Sequence, residues 1–291
     1  MIRLLDHLAT LGLKGNAARE ALRSGKVKID NVPVSDGGRM VDPARVRYDP
    51  NSPRVVVGRD AAILWFDPYL AVVWKAPHML SVPAPKREDA PNMLRFVGTR
   101  LGRALAVHRL DEETSGLMLV ARTEAAQEAL KGKLEAHEIE RAYLALVRGH
   151  FPQGPPREIR TMMIRDRGDG RRGSVPLGTP ARDAKLAVTW LSLVELCGKA
   201  SLVEARLETG RTHQVRIHLA DGGHPVLGDP LYADRFTQRL APRLALHAAR
   251  LAFTHPFTNQ PLRFEAPLAD DLEILRRRLA EGNAPHFPTA R

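Results

Sequence analysis

Two short stretches of the chain concentrate the residue types that do chemistry. The first, Val107 to Thr123, reads VHRLDEETSGLMLVART. Its front sets the Asp111 carboxylate beside the Arg109 guanidinium and the His108 imidazole. Its back, Gly116 to Ala121, is an apolar run with the length and residue types of a buried strand. A loop of that make-up at the lip of a buried strand is where a reactive group is usually presented. On residue types alone a second reading stands beside it, in which Asp111 pairs with Arg109 and opens a turn that Thr114 and Ser115 close. The second stretch, Thr209 to Leu219, reads TGRTHQVRIHL and is equally dense in Arg and His.

Other chemistries fit poorly. Ser115 lacks the G-x-S-x-G elbow of a serine hydrolase. His108, His213, His218 and His224 do not follow the helical H-E-x-x-H spacing, so they read as hydrogen-bonded structural histidines rather than metal ligands. Gly168 to Gly173 spells GDGRRG and satisfies G-x-G-x-x-G, yet a dinucleotide site needs a helix to open there. Pro176 and Pro180 follow instead, and Arg165, Arg167, Arg171 and Arg172 make the stretch a basic loop. That loop reads as mobile, either touching a phosphate backbone or merely solvated.

HRLDEETSG, GRTHQVRIH and HPVLGDPLY occur in this order, and together they resemble the RluA-type RNA pseudouridine synthases. That family carries an HRLD-x-x-TSG loop, a GR-[ST]-HQ-x-R-x-H segment and an HP-x-x-GD-x-x-Y loop. The resemblance implies isomerisation of specific uridines in structured RNA, with ribosomal RNA favoured over transfer RNA. It implies an aspartate-dependent route with base flipping, no cofactor and no metal. Asp111 becomes the nucleophile or sugar-activating anion, Arg216 its charge partner, and Tyr143 the ring against the uracil with a hydroxyl able to relay a proton. Arg109 becomes the residue that fills the gap left by the flipped nucleotide, although on residue types it could equally pair with Glu112 or Glu113. His108, Arg211, His213 and Gln214 fall among the base- and RNA-binding positions. One departure lies at Lys75-Ala76-Pro77-His78-Met79, where the family's Lys-Pro-x-Gly loop has its proline shifted by one and Met79 in the glycine's place. An RNA-binding assembly factor on the same fold, without chemistry, is the other class left open. The joint presence of Asp111, Tyr143 and Arg216 argues against it.

The elements that must position these residues follow from hydrophobic spacing. Leu4, Leu5, Leu8 and Leu11 repeat at helical period, and a second short helix is expected from Ala17 to Arg23. Lys26 to Ile29 alternates as a strand and Asp30-Asn31 turns it. This order resembles the small ribosomal-protein S-four-like RNA-binding module, which would put Lys14, Arg19, Arg23, Lys26 and Lys28 toward RNA. The module's usual Ser-Arg pair is replaced by Gly15-Asn16-Ala17, and a helical hairpin that only packs on the main domain is the competing reading. Pro50 and Pro53 suggest a boundary, giving residues 1–50 as the RNA-binding module and 51–291 as the catalytic domain.

Beyond it, Ala61 to Phe66 and Leu70 to Trp74 form an expected hairpin, Asn92 to Leu101 a helix, and Thr123 caps a helix to His137. Strands are expected over Arg141 to Val147, Lys185 to Leu196, Ser201 to Leu207, Leu244 to Phe253 and Leu262 to Phe264. A basic helix spans Leu268 to Leu279. The fold class is therefore α+β, a mostly antiparallel mixed sheet flanked by helices and loops, with a small N-terminal α/β module.

Bulk properties agree. The chain has 291 residues and a formal net charge of +11, with a pI near 10.3. Such an excess of cations gathers phosphates without choosing among sequences. Cys197 is the single cysteine, which excludes a disulfide framework and fits a reducing cytoplasm. The N-terminus lacks the pattern of a secretory signal and no apolar run is long enough to cross a bilayer. A cytoplasmic monomer acting on RNA, with no membrane and no nucleotide cofactor, is the expectation.

Overall fold

The structure, a computed structural model, describes residues 1–30, 32–50, 56–58, 60–85 and 87–283, with backbone only at 32, 56 and 57. Residues 51–53 of the expected boundary at Pro50–Pro53 lie outside the described residues, as does Asn31 of the first turn. The chain divides into two compact units, Met1–Lys131 and Gly132–Arg291.

The first unit opens with β1 (Ile2–Arg3), α1 (Leu4–Thr10), α2 (Gly15–Arg23), β2 (Val27–Ile29), β3 (Val32–Pro33), β4 (Met40–Val41) and β5 (Val46–Tyr48). β2 lies between β3 and β5, and β1 pairs with β4. Leu4 and Leu8 sit one helical turn apart and bury against Ala18, Ala21, Leu22, Val27, Ile29 and Val46. This small apolar cluster is what orders the N-terminal segment. α2 begins two residues earlier than its apolar spacing suggested, because the first turn closes with Ala17 N–H donating to the Lys14 carbonyl.

The same unit continues through β6 (Val56–Val57), β7 (Ala61–Phe66), β8 (Leu70–Lys75), α3 (Met93–Leu101), β9 (Leu105–Ala106), β10 (Ser115–Ala121) and α4 (Glu124–Glu135). The strands run antiparallel in the order β6–β7–β8–β10–β9. Every residue of β10 is buried, which explains why its sequence is continuously apolar rather than alternating. Asp67 closes the β7–β8 hairpin by accepting the Tyr69 and Leu70 N–H groups at 2.8 Å each. Asn92 caps α3 by accepting from Arg95 N, and Thr123 caps α4 by accepting from Ala126 N.

The second unit contains β11 (Glu140–Arg148), β12 (Arg157–Ile164), β13 (Gly173–Val175), β14 (Lys185–Cys197), β15 (Ala200–Leu207), α5 (Gln214–Asp221), α6 (Arg235–Gln238), β16 (Leu246–Thr254), β17 (Pro261–Glu265) and α7 (Asp270–Ala280). Its strands are antiparallel in the order β13–β12–β14–β15–β11–β16–β17. Residues directly opposite each other across strands share a face. Thr189 and Leu191 therefore lie on the face of Ala205 and Tyr143, and α5 is laid there, its Gln214 and His218 bonded to Thr189. The other face carries charge: Arg250 bridges Glu140 and Glu204. The arrangement is α+β, as the sequence implied.

β12 and β13 were not foreseen. They flank the basic loop, which opens no helix; its bends are closed by Asp166, which accepts the Gly168 and Gly170 N–H groups at 2.8 Å. Gly228, in the loop after α5, has φ +75°, and a Cβ there would collide with the Arg243 carbonyl. Replacing Gly228 with Ala should therefore cost about 3 kcal/mol or more of stability, read as a lowered urea midpoint at unchanged slope.

Candidate active site

In the first unit the acid loop is fastened from beneath. Lys75, at the end of β8, is fully buried, and its ammonium donates to the Ala76, Met79 and Glu112 carbonyls at 2.9 Å each. Desolvating an ammonium costs several kcal/mol, and three charge-assisted hydrogen bonds are what offset it. One of them holds the residue that follows Asp111. On the other side Leu110 and the buried Ser81 bond reciprocally: Ser81 Oγ donates to Leu110 O and accepts from Leu110 N. The turn closes with Thr114 N–H donating to the Asp111 carbonyl. Asp111 thus sits, half-buried, between two backbone anchors and ahead of an entirely buried strand.

His108 Nε2 accepts from the Leu119 amide at 3.0 Å, which leaves the proton of the neutral ring on Nδ1. It ties the loop to β10. Arg109 is exposed. Glu112, one of its two suggested acidic partners, instead takes both prongs of Arg87, at 3.0 and 2.5 Å, and that guanidinium holds the Glu112 carboxyl below its ordinary value.

In the second unit the Arg- and His-rich segment starts α5. His213 precedes the helix in a left-handed conformation, φ 60°. Buried Gln214 accepts from Thr209 Oγ1 and Arg211 N and donates to Val188 O and Thr189 Oγ1, so it stitches the segment to β14. Arg211 is exposed, and its Nε donates to Leu186 O. His218 stands between Thr161 and Thr189, at 2.9 and 2.8 Å, and burial pushes its imidazole down to about 4. Arg216 is 5 % exposed and forks onto Asp229, which is wholly buried, with Nε and Nη2 each donating at 2.8 Å. Asp229 also accepts the Leu231 and Tyr232 amides, so this carboxylate sets both the guanidinium and the loop after it.

Tyr143 lies on β11, nearly buried, just after a bulge that separates it from Ala142. Arg141, two residues before it, is buried and donates to the Glu208 carbonyl; desolvation lowers its pKa. Gly210 explains how it fits, because a Cβ there would strike the Arg141 guanidinium. The structure therefore brings Tyr143, Arg216, Gln214 and His218 to one side of one sheet, and His108, Arg109 and Asp111 to one anchored loop of the other unit. In the N-terminal segment Lys14, Arg19 and Arg23 are exposed, while Lys26 and Lys28 are half-buried.

Three residues with structural roles at this site went unread as individuals in the sequence: Lys75, Asp229 and Tyr232. Asp229 and Tyr232 belong to the HPVLGDPLY run, so the signal was present without a stated purpose. Nothing in the residue types marks Lys75 as buried. Among the described residues no cluster of His, Cys, Asp and Glu could hold a metal ion, and no helix is long and apolar enough to cross a membrane.

Comparison with known proteins adds a second line of observation. Residues 69–221 match the family model described as RNA pseudouridylate synthase, a span that includes Asp111, Tyr143 and Arg216. The chain is 36% identical over 255 residues to ribosomal large subunit pseudouridine synthase D of Xanthomonas campestris pv. campestris, covering 79% of this chain and 72% of that protein. It is 35% identical over 213 residues to the dual-specificity RNA pseudouridine synthase RluA of Pasteurella multocida, covering 71% and 93% respectively. Among solved structures it is similar to human RNA pseudouridylate synthase domain containing 1, with TM-score 0.58 and 25% identity over 79% of this chain and 97% of that one.

The buried imidazoles give a pH dependence of known sign. His218 and His247 are both held near 4 by burial, below the ordinary 6.5, so the unfolded chain binds protons that the folded one refuses. Stability should be level above pH 6.5 and decline as pH falls toward 4, by on the order of 3 kcal/mol for each ring. Urea midpoints across that range check the loss, and imidazole NMR shifts check that both rings stay neutral at pH 5.5.

Proposed function

The chain belongs to the RNA pseudouridylate synthase family of enzymes, and from that premise we propose that it converts specific uridines of ribosomal RNA to pseudouridine. The observation that carries the reading is the single family match that encloses Asp111, Tyr143 and Arg216 together. The Xanthomonas relative, named for the ribosomal large subunit, supports ribosomal RNA as the substrate class.

The reaction breaks the N1–C1′ bond, turns the uracil and joins C5 to C1′. C5 gives up its proton and N1 gains one, so atoms and electrons balance without oxidant, reductant or energy source. Asp111 is the carboxylate that acts as nucleophile or sugar-activating anion. Arg216 is the guanidinium whose positive charge offsets this carboxylate, while its own two-pronged fork is held by Asp229. Tyr143 offers its ring to the uracil and its hydroxyl to the migrating proton. The exposed Arg109 stacks into the space vacated by the flipped nucleotide, a step that must recover a few kcal/mol of lost stacking.

Residues 1–50 act as the RNA-binding module, with Arg19 and Arg23 on the exposed side of α2, Lys14 at its N-terminal end, and Lys26 and Lys28 at β2. His108, Arg211 and His213 complete the RNA-facing segments; Gln214, expected among them, is buried and instead holds its segment to β14. The reading is of a monomer working in the cytoplasm on an RNA partner.

Tritium release from C5-labelled uridine in transcribed ribosomal RNA tests the chemistry. Asp111→Asn should abolish it, and persistent turnover would remove the carboxylate from the mechanism. Arg216→Lys should lower kcat by roughly a hundredfold with RNA affinity unchanged. Tyr143→Phe with full activity would leave stacking and remove proton relay. A wild-type chain that binds the RNA but releases no tritium would instead be a silent assembly factor.

A further inference from the structure

Tyr232, at the end of the HPVLGDPLY run, is a meeting point for side chains of separate segments. The Arg216 guanidinium lies over its ring, 5.2 Å from the centroid. Its hydroxyl is 2.9 Å from His213 Nδ1, and the two rings stand edge to face at 73°. From the basic loop, Arg167 lies 6.0 Å from the same centroid, and Arg171 Nη1 donates to the Leu231 carbonyl next door. The tyrosine is held in place by Asp229, which accepts its amide at 3.1 Å while gripping Arg216.

The geometry divides the work of fixing a cation. The Asp229 fork sets the guanidinium in its own plane, but a fork alone lets the group rock about the line joining the two carboxylate oxygens. A ring over its face opposes that rocking, because the cation is attracted to the π-surface and excluded from its volume. We propose that Tyr232 is a positioning residue for Arg216: it takes no part in bond making and fixes the tilt at which the guanidinium is presented. The basic loop, through Arg167 and Arg171, braces the tyrosine and its neighbour from outside. The inference rests on the reading of Arg216 as the cation of the reaction.

Four proteins test it on the same RNA: Tyr232→Leu, Tyr232→Phe, Arg216→Lys and the double Tyr232→Leu/Arg216→Lys. A positioning role predicts that Tyr232→Leu lowers kcat about tenfold while KM stays within about twofold, since ground-state binding is untouched. Tyr232→Phe keeps the ring and should restore kcat to within about threefold. The double variant should be no slower than Arg216→Lys alone, because the tilt of an absent guanidinium no longer matters.

An unchanged kcat in Tyr232→Leu overturns the proposal, as does a rise in KM alone, which would make the ring an RNA contact. Equal losses in Tyr232→Phe and Tyr232→Leu would assign the effect to the His213 hydrogen bond and overturn it too, and so would additive losses in the double variant. If Arg216→Lys keeps full kcat, the reading of Arg216 falls first and this role with it. Should Tyr232→Leu fail to fold, Tyr232→Met and the 15Nε resonance of Arg216 decide: loss of the ring must move that line, and an unmoved line refutes the contact.

Discussion

The buried fork between Arg216 and Asp229 is the constraint on which the second unit's functional surface depends. Both groups are withdrawn from water, a guanidinium at 5 % exposure and a carboxylate at none. Either alone would be penalised by several kcal/mol, and the pairing offsets that cost because each meets the other's geometry. Such pairs contribute little net stability compared with an apolar substitute. What they provide is orientation. Asp229 still accepts two further amides, so the helix residue and the loop after it cannot move independently.

In the first unit a buried cation fastens the acid loop through its backbone. The Lys75 ammonium is solvated by three backbone carbonyls, those of Ala76 and Met79 just after it and that of Glu112 in the acid loop. Carbonyl dipoles help satisfy a buried cation and, in doing so, fix the backbone that supplies them. The anchored turn at Asp111 is therefore built by backbone geometry, with β10 as the rigid element beneath it. The His108 ring, bonded to Leu119 N, serves the same end.

Much of this was legible in the sequence. The continuous apolar run of β10, the β7–β8 hairpin and the Thr123 cap each follow from a local rule, and each stands where the residue types put it; Asn92, expected as the first residue of its helix, is that helix's cap. β12 escaped because its burial is mixed along both faces, so neither alternation nor a solid apolar run marks it; β13 is simply too short. The burial of Lys75 was hidden for a different reason. A lysine between Trp74 and Ala76 looks like the polar end of a strand, and the Glu112 carbonyl, 37 residues on, is what makes it an internal strut. The Arg216–Asp229 pair spans a helix and a turn, a separation at which spacing rules say nothing about contact.

The enclosure of Lys75 has a consequence for chemical footprinting. An acylating reagent in water reaches Lys185 and Lys199, both exposed, at the speed of an ordinary surface amine. Lys75 can react only when the acid loop lifts away and its three carbonyls let go. The rate at which that one amine becomes modified is thus a clock for opening of the loop, internal to the protein and independent of any RNA.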